Sequence, residues 1–287
     1  MALGQIDLAI ELLTDGRPHA EARTVHEIRK ALKRLRALLR LLEHELGSKA
    51  YARESEALRA IAGRLSGARD AQVMLSTLDA LMERHPRKLG RNGGVRRLRK
   101  RLRAEHTLMQ RRTLGDPGTR AALLAELQAL RLRVEAWSLP QRPGMQLVQH
   151  DLRRVYGQGR RRYRRVLRGT GEQMVTMHRW RKRVKDLRYA GEMLAGEGSP
   201  ERLHKLGHRA DSLGELLGED HDLALFAQHL RAGARKHGSR TWRTRRKTRR
   251  LLLAAIAKRR RKLRKRALRD GAKLYSRSPK RFMRRLK

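Results

Sequence analysis

The spacing of its leucines constrains this chain most. Leu32, Leu35, Leu39 and Leu42 stand three or four residues apart, a period that collects them on one face only if the segment is helical. The same pattern recurs along the chain, carried by Leu and Ala among Arg, Lys and Glu, all good helix formers. Strands need β-branched and aromatic residues, and aromatics make up only 3% of the sequence. Pro18, Pro86, Pro117, Pro140, Pro143, Pro200 and Pro279 fall at breaks in the pattern. Asp116-Pro117 and Ser199-Pro200 set a capping residue before a proline at the first helical position, and Thr170 with Gln173 makes a T-x-x-Q capping box. The pattern predicts helices at about 2–14, 18–46, 48–65, 68–84, 92–114, 117–137, 145–168, 171–196, 200–217, 220–236 and 240–270. No stretch alternates as a strand does, so the fold class is all-α.

Lys and Arg number 72 against 28 Asp and Glu, a formal charge of +44 over 287 residues. Such a particle repels itself, and a bound anion relieves the folded state. With 39% hydrophobic residues, the chain can still bury a core rather than stay disordered. The partner expected is a polyanion. Readers of single strands stack bases on aromatic side chains, but the few aromatics here are not interleaved with the basic stretches. Duplex binding through phosphates needs no aromatics, so a non-specific, architectural nucleic-acid binder stands as the alternative. A ligand made only of phosphate fits at least as well. With no cysteine, there are no disulfides, thiolate nucleophiles or Cys-based zinc sites. Met1 to Asp7 reads as the start of an amphipathic helix rather than a signal peptide, and no apolar run approaches membrane-spanning length. A cytoplasmic protein without membrane contact is expected.

A segment recurs. Val25 to Arg36 and Met177 to Arg188 both read H-x-x-R-K-x-x-K-x-L-R, at an offset of 178 − 26 = 152. Leu65 to Val73 lies over Leu217 to Leu225 at the same offset, 222 − 70 = 152, and Pro18 lies over Thr170. Three features at one offset point to an internal duplication with halves at about 1–139 and 140–287.

On a helix, His26, Arg29, Lys30, Lys33, Arg36 and Arg40 form one stripe, opposed by Ile28, Leu32, Leu35, Leu39 and Leu42. His178, Arg181, Lys182, Lys185 and Arg188 repeat it, opposed by Trp180, Val184, Leu187 and Leu194. A solvated basic face is the ordinary explanation for one such helix. Two copies with the same residue types at the same positions favour a binding role, since a merely soluble face accepts Glu and these stretches hold none on the stripe. Arg offers a planar donor fork, Lys a mobile point charge, and His a donor that becomes cationic on protonation, a set suited to phosphate.

These motifs resemble the CHAD family, the conserved histidine α-helical domain, most specifically in His26 to Arg36, His178 to Tyr189 and the Asp-bearing segments ending near Val73 and Leu225. The resemblance spans about residues 18 to 270. It implies two four-helix bundles related by a pseudo-two-fold axis, with basic helices lining a central channel or furrow that binds inorganic polyphosphate. On that reading the protein associates with polyphosphate granules. Carried over by position, His26, Arg29, Lys33 and Arg36 line one wall and His178, Arg181, Lys185 and Arg188 the other. Lys30 and Lys182 join them from their place on the stripe. Asp186 departs from the basic residue expected before Leu-Arg. Asp70 and Asp222 are expected to hold basic side chains in place.

Gly238 to Lys287 holds 23 Lys or Arg and one acid, a charge of 23 − 1 = +22. Beyond Lys258 the run is so uniformly charged that a solvated helix or loose arm is expected. Catalytic motifs are missing. His221-Asp222 is an HD dipeptide of the kind metal phosphohydrolases use, but the aligned pair is Arg69-Asp70, and Arg is no metal ligand. Glu43-His44-Glu45-Leu46-Gly47 lacks the Lys of an E-x-E-x-K phosphatase motif, and no P-loop is present. The expectation is a binding protein with no catalytic residues, metal site or cofactor.

Overall fold

The computed structural model describes residues 1–15, 21–114, 116–142, 144–195, 201–234 and 240–286. Among them there is no strand, and the class is all-α. The helices are α1 (Ala2–Thr14), α2 (Glu21–Leu41), α3 (Glu43–Arg64), α4 (Ser66–Arg84), α5 (Gly93–Leu114), α6 (Pro117–Glu135), α7 (Gly144–Leu167), α8 (Gln173–Leu194), α9 (Glu201–Ala232), α10 (Arg246–Leu274) and α11 (Pro279–Leu286). Short turns of π-helix at Pro86–Gly90 and 3₁₀-helix at Arg240–Trp242 complete the order.

Helix ends follow local chemistry. Asp116 caps α6 by accepting from the Thr119 amide at 2.9 Å, with Pro117 in the first turn, as its sequence predicts. Asn92 accepts from the amides of Gly94 and Val95 at 3.0 and 3.1 Å and starts α5. The predicted helix 18–46 ends earlier, at Leu41, and α3 is kinked where Gly47 adopts φ +75°. The Thr170 capping box does not form: α8 begins at Gln173 with Glu172 before it, and Thr170 lies outside the helix. Pro18 and Ser199-Pro200 lie outside the described residues.

Two expectations fail for a shared reason. The break between 217 and 220 is absent, because α9 runs unbroken through Gly218, Glu219 and Asp220. Glu219 accepts from Arg259 at 2.6 and 2.5 Å. The buried Asp220 carboxylate accepts from Arg260 at 2.9 Å and Arg264 at 3.1 Å. These ion pairs hold α10 on α9, and the run after Lys258 therefore packs rather than hanging loose. Leu252, Ile256, Leu263, Ala267, Gly271 and Leu274 form the buried face of α10, and α11 buries Phe282, Met283 and Leu286. A helix this basic can still hide one side because Lys and Arg occupy the other.

Three apolar clusters hold the molecule together. Ile6, Leu13, Ile28, Leu32, Leu58 and Leu127 join α1, α2, α3 and α6. Leu152, Tyr156, Trp180, Val184, Leu187 and Leu213 join α7, α8 and the first half of α9 to the end of α10 and to α11, with Leu41 and Leu42 reaching in. Leu78, Leu98, Phe226, Leu252 and Leu263 unite α4 and α5 with the second half of α9 and with α10 as far as Leu263. The third cluster draws on both sides of residue 140, so the two parts of the chain share a core. Contacts between α2 and α8 bring the two basic stripes together.

Candidate functional site

The leucine faces of α2 and α8 turn into different apolar clusters, and their other sides bring Lys33 and Lys185 into one cationic group. Burial pushes Lys33 down to about 8, and the guanidiniums of Arg29, Arg69, Arg181 and Arg188 push the same way. Lys185 goes further, to about 7, through burial, then Arg181 and Lys33, with Asp222 opposing. Arg181 is itself lowered, first by burial, with the Asp222 carboxylate acting to raise it and Arg69 adding repulsion. Asp222 answers with an upward shift, because its burial outweighs the cations beside it. Arg29 is lowered by burial, with Asp70 opposing. Asp70 and Asp222 thus act electrostatically on the cations of the cluster. Asp70 and Asp222 are the carboxylates set against Arg29, Lys33, Arg69, Arg181 and Lys185, so basic groups outnumber acids here.

Nε of Arg29, Nε of Arg181 and Nδ1 of His178 are buried without a hydrogen-bond partner. Arg29 is partly committed: its Nη1 donates to the carbonyls of Ala62 and Leu65 at 3.2 and 3.0 Å, covering the end of α3. His178 stands 4.7 Å from His221, ring centre to ring centre. Burial and the cations Lys182, Arg181 and Lys185 hold His178 below the ordinary histidine value. His221 is driven to about 3 by burial, Arg181 and His178. The surroundings therefore disfavour the protonated form of both rings.

The remaining stripe residues divide. Arg40 donates to Asp186 at 3.1 Å, linking α2 to α8, and Arg183 pairs with the same carboxylate at 3.2 Å. Asp186 is thus the anchor of an ion triad. Arg36 is lowered by burial and then by Arg40, and Lys182 by partial burial and then by Arg36, so these two continue the cationic surface beyond Lys185. Arg188 reaches the cluster but is bound to Glu192 at 2.8 Å and Asp211 at 2.9 Å. Lys30 pairs with Glu27 at 3.4 Å at the exposed edge. His26 is exposed and lines an adjoining cavity of about 360 Å³ with Arg23, Arg69 and His106. The structure therefore gathers Arg29, Lys33, His178, Arg181, Lys185 and Arg188, extends them with Arg36, Arg40 and Lys182, and leaves Lys30 and His26 at the margin.

Cavities open on both sides of the cluster. One of about 380 Å³ lies between α4, α8 and α9, lined among others by Arg69, Arg84, Arg181, Lys185 and Asp222. Another of about 500 Å³ lies between α7 and α8, lined by Gln158, Arg161, Arg162, Arg165, Arg179, Lys182 and Arg183. The stripes alone miss Arg69, His221 and the α7 arginines. The first two had a signal: the offset that aligns Asp70 with Asp222 also aligns Arg69 with His221, since 221 − 69 = 152. Arg161, Arg162 and Arg165 had none beyond their charge.

The fold is similar to that of PptA from Streptomyces chartreusis, with a TM-score of 0.58 at 18% identity, covering 96% of this chain and 98% of that one. No curated protein matches the sequence. Among the described residues no helix is long and apolar enough to cross a membrane. The family model for the CHAD domain matches residues 5–231, which contain α2, α8, both Asp-bearing segments and the whole of the Lys33–Lys185 cluster. The chain belongs to the CHAD family.

Proposed function

We propose that this protein binds inorganic polyphosphate along the cationic surface centred on Lys33 and Lys185, as a binding protein rather than a catalyst. The observation that carries the reading is the burial of two lysines from separate helices among arginines that repel them. A chain of phosphates laid between α2 and α8 relieves that repulsion and supplies acceptors for the unpartnered Nε–H donors of Arg29 and Arg181. In this reading Arg36, Arg40 and Lys182 lead the ligand toward the α7–α8 cleft, and Arg188, Lys30 and His26 flank it. The parts 1–139 and 140–287 are duplicates that contribute one basic helix each. Membership of the CHAD family supports the assignment, and a cytoplasmic protein associated with polyphosphate granules is part of the same proposal.

Chemistry at the His221-Asp222 pair is disfavoured by its surroundings. Arg181 lies beside Asp222 and opposes a metal cation there. No group of three His, Asp or Glu residues spaced for a metal occurs among the described residues.

A competition experiment tests the proposal, with long-chain polyphosphate and duplex DNA offered at equal phosphate and physiological salt. Polyphosphate is expected to displace the DNA, with affinity falling steeply as salt rises, by roughly 0.9 in logarithmic slope per phosphate contact on the DNA analogy. Preferential retention of DNA, or binding indifferent to salt, overturns it.

A further inference from the structure

A further cavity, of about 310 Å³, lies where the start of α9 meets the end of α10 and α11, and shares no lining residue with the Lys33–Lys185 cluster. Its floor is Tyr156, Leu206, Leu274, Phe282 and Leu286, all less than a tenth exposed. Tyr156 stacks on Phe282 at 3.8 Å and donates from its hydroxyl to the carbonyls of Leu274 and Arg277 at 3.1 and 3.2 Å. That fixes the turn between α10 and α11.

Above this floor stands a rim of cations. Lys205 is paired with Glu201 at 2.8 Å, and Arg202 donates to the carbonyl of Arg285 at 2.9 Å. Arg209, Lys273, Arg277 and Arg285 complete the rim, and among the described residues no carboxylate pairs with any of them.

The contrast with the α7–α8 cleft identifies the ligand class. That cleft is lined by six cations and a glutamine, with no apolar side chain, and suits bare phosphate. Here cations surround an apolar floor, and a purely inorganic anion leaves that floor in contact with water. We infer that this cavity binds a small phosphate ester, with the phosphoryl group on Arg209, Lys273, Arg277 and Arg285 and a compact apolar body against Leu206, Phe282 and Leu286. The residues from Lys273 onward lie outside the span that the CHAD family model matches, whereas Tyr156, Arg202, Lys205, Leu206 and Arg209 lie within it, so the site is built jointly by the matched span and the segment beyond it.

The test compares phenyl phosphate with orthophosphate by calorimetry on the full chain. Phenyl phosphate is expected to bind at least about tenfold more tightly, since only it buries apolar surface. Arg209→Gln combined with Arg277→Gln should weaken phenyl phosphate by about tenfold or more, and Lys273→Gln, at an exposed position, should weaken it in the same direction without a change in melting temperature. Lys33→Glu with Lys185→Glu should leave phenyl phosphate binding unchanged. Equal affinity for the two phosphates overturns the inference. So does indifference to the rim substitutions, or loss of phenyl phosphate binding in the Lys33/Lys185 variant, which moves the ligand to the α2–α8 cluster.

Discussion

Lys33 and Lys185 begin as two positions in a repeated motif and become, in the folded chain, amines held at about 8 and about 7. An unfolded lysine keeps its proton to roughly pH 10.4. Between about pH 7 and that value the unfolded chain therefore holds more protons than the folded one, and the stability of the free protein rises with pH across this window. A phosphate chain against these amines raises both values, so binding takes up protons and polyphosphate affinity falls as pH climbs above about 7. Calorimetry near pH 8 in buffers of different ionisation enthalpy should register net proton uptake; zero uptake or net release would show that the anion lies elsewhere. Lys33→Glu with Lys185→Glu changes the net charge only from +44 to 44 − 4 = +40. It sets two carboxylates against the ligand, and an affinity loss of about 100-fold or more is expected. Near-normal binding by that variant, with its helicity intact, would leave a diffuse cationic surface as the better description. The identity of these lysines was legible in the repeat, but their depressed values were not, because burial and arginines from other elements cause them.

Packing at two places decides what the helices tolerate. At the crossing of α8 and α9, a Cβ on Gly191 would come within 2.7 Å of the Gly207 Cα and 2.8 Å of its nitrogen. Backbone cannot yield as a side-chain tip can, so Gly191→Ala must force the helices apart. The expected cost is about 1–3 kcal/mol, read as a drop in melting temperature of roughly 2–4 °C per kcal/mol; an unchanged melting temperature would show that the crossing has slack. The second place is α11. Its charge pattern suggested a solvated helix or loose arm, yet Phe282, Met283 and Leu286 are buried against α7 and α9. Deleting residues from Arg277 onward removes three buried side chains worth about 1.5–3 kcal/mol each. The melting temperature should fall by about 10 °C or more, far beyond what loss of surface cations does. Retention of the full melting temperature would mean that this packing contributes little.

For the whole molecule, the distribution of charge matters more than its sum. Acids are spent on positioning: Asp220 and Glu219 fasten α10, Asp186 ties α2 to α8, and the buried Glu54 receives Arg133 at 3.0 Å. The cations between α2 and α8 are left under-neutralised. A polyanion that binds only the folded state at 100 times its dissociation constant stabilises it by about 2.7 kcal/mol. The melting temperature should therefore rise by several degrees with long-chain polyphosphate and much less with orthophosphate at equal phosphorus. Equal rises with both would mean that single-anion sites, rather than one continuous surface, dominate.

Periodic leucines, helix-forming composition and the absence of alternating stretches determined by themselves that the chain is helical, because an amphipathic helix is a local property of residue spacing. The 152-residue offset likewise singled out the helices that carry the stripes. Tertiary structure alone decided which stripe residues meet. Arg40 and Arg188 stay at the cluster but are paired with carboxylates on α8 and α9, His26 lies in an adjoining cavity at the margin, and Arg69 enters from α4 to press on Lys33. It also decided that the most basic stretch of the chain packs, since a buried face on α10 depends on acids some forty residues earlier in α9, with which it pairs only once the two helices are side by side. Spacing along the chain encodes a helix face; which charges that face meets is set by contacts between residues far apart in sequence.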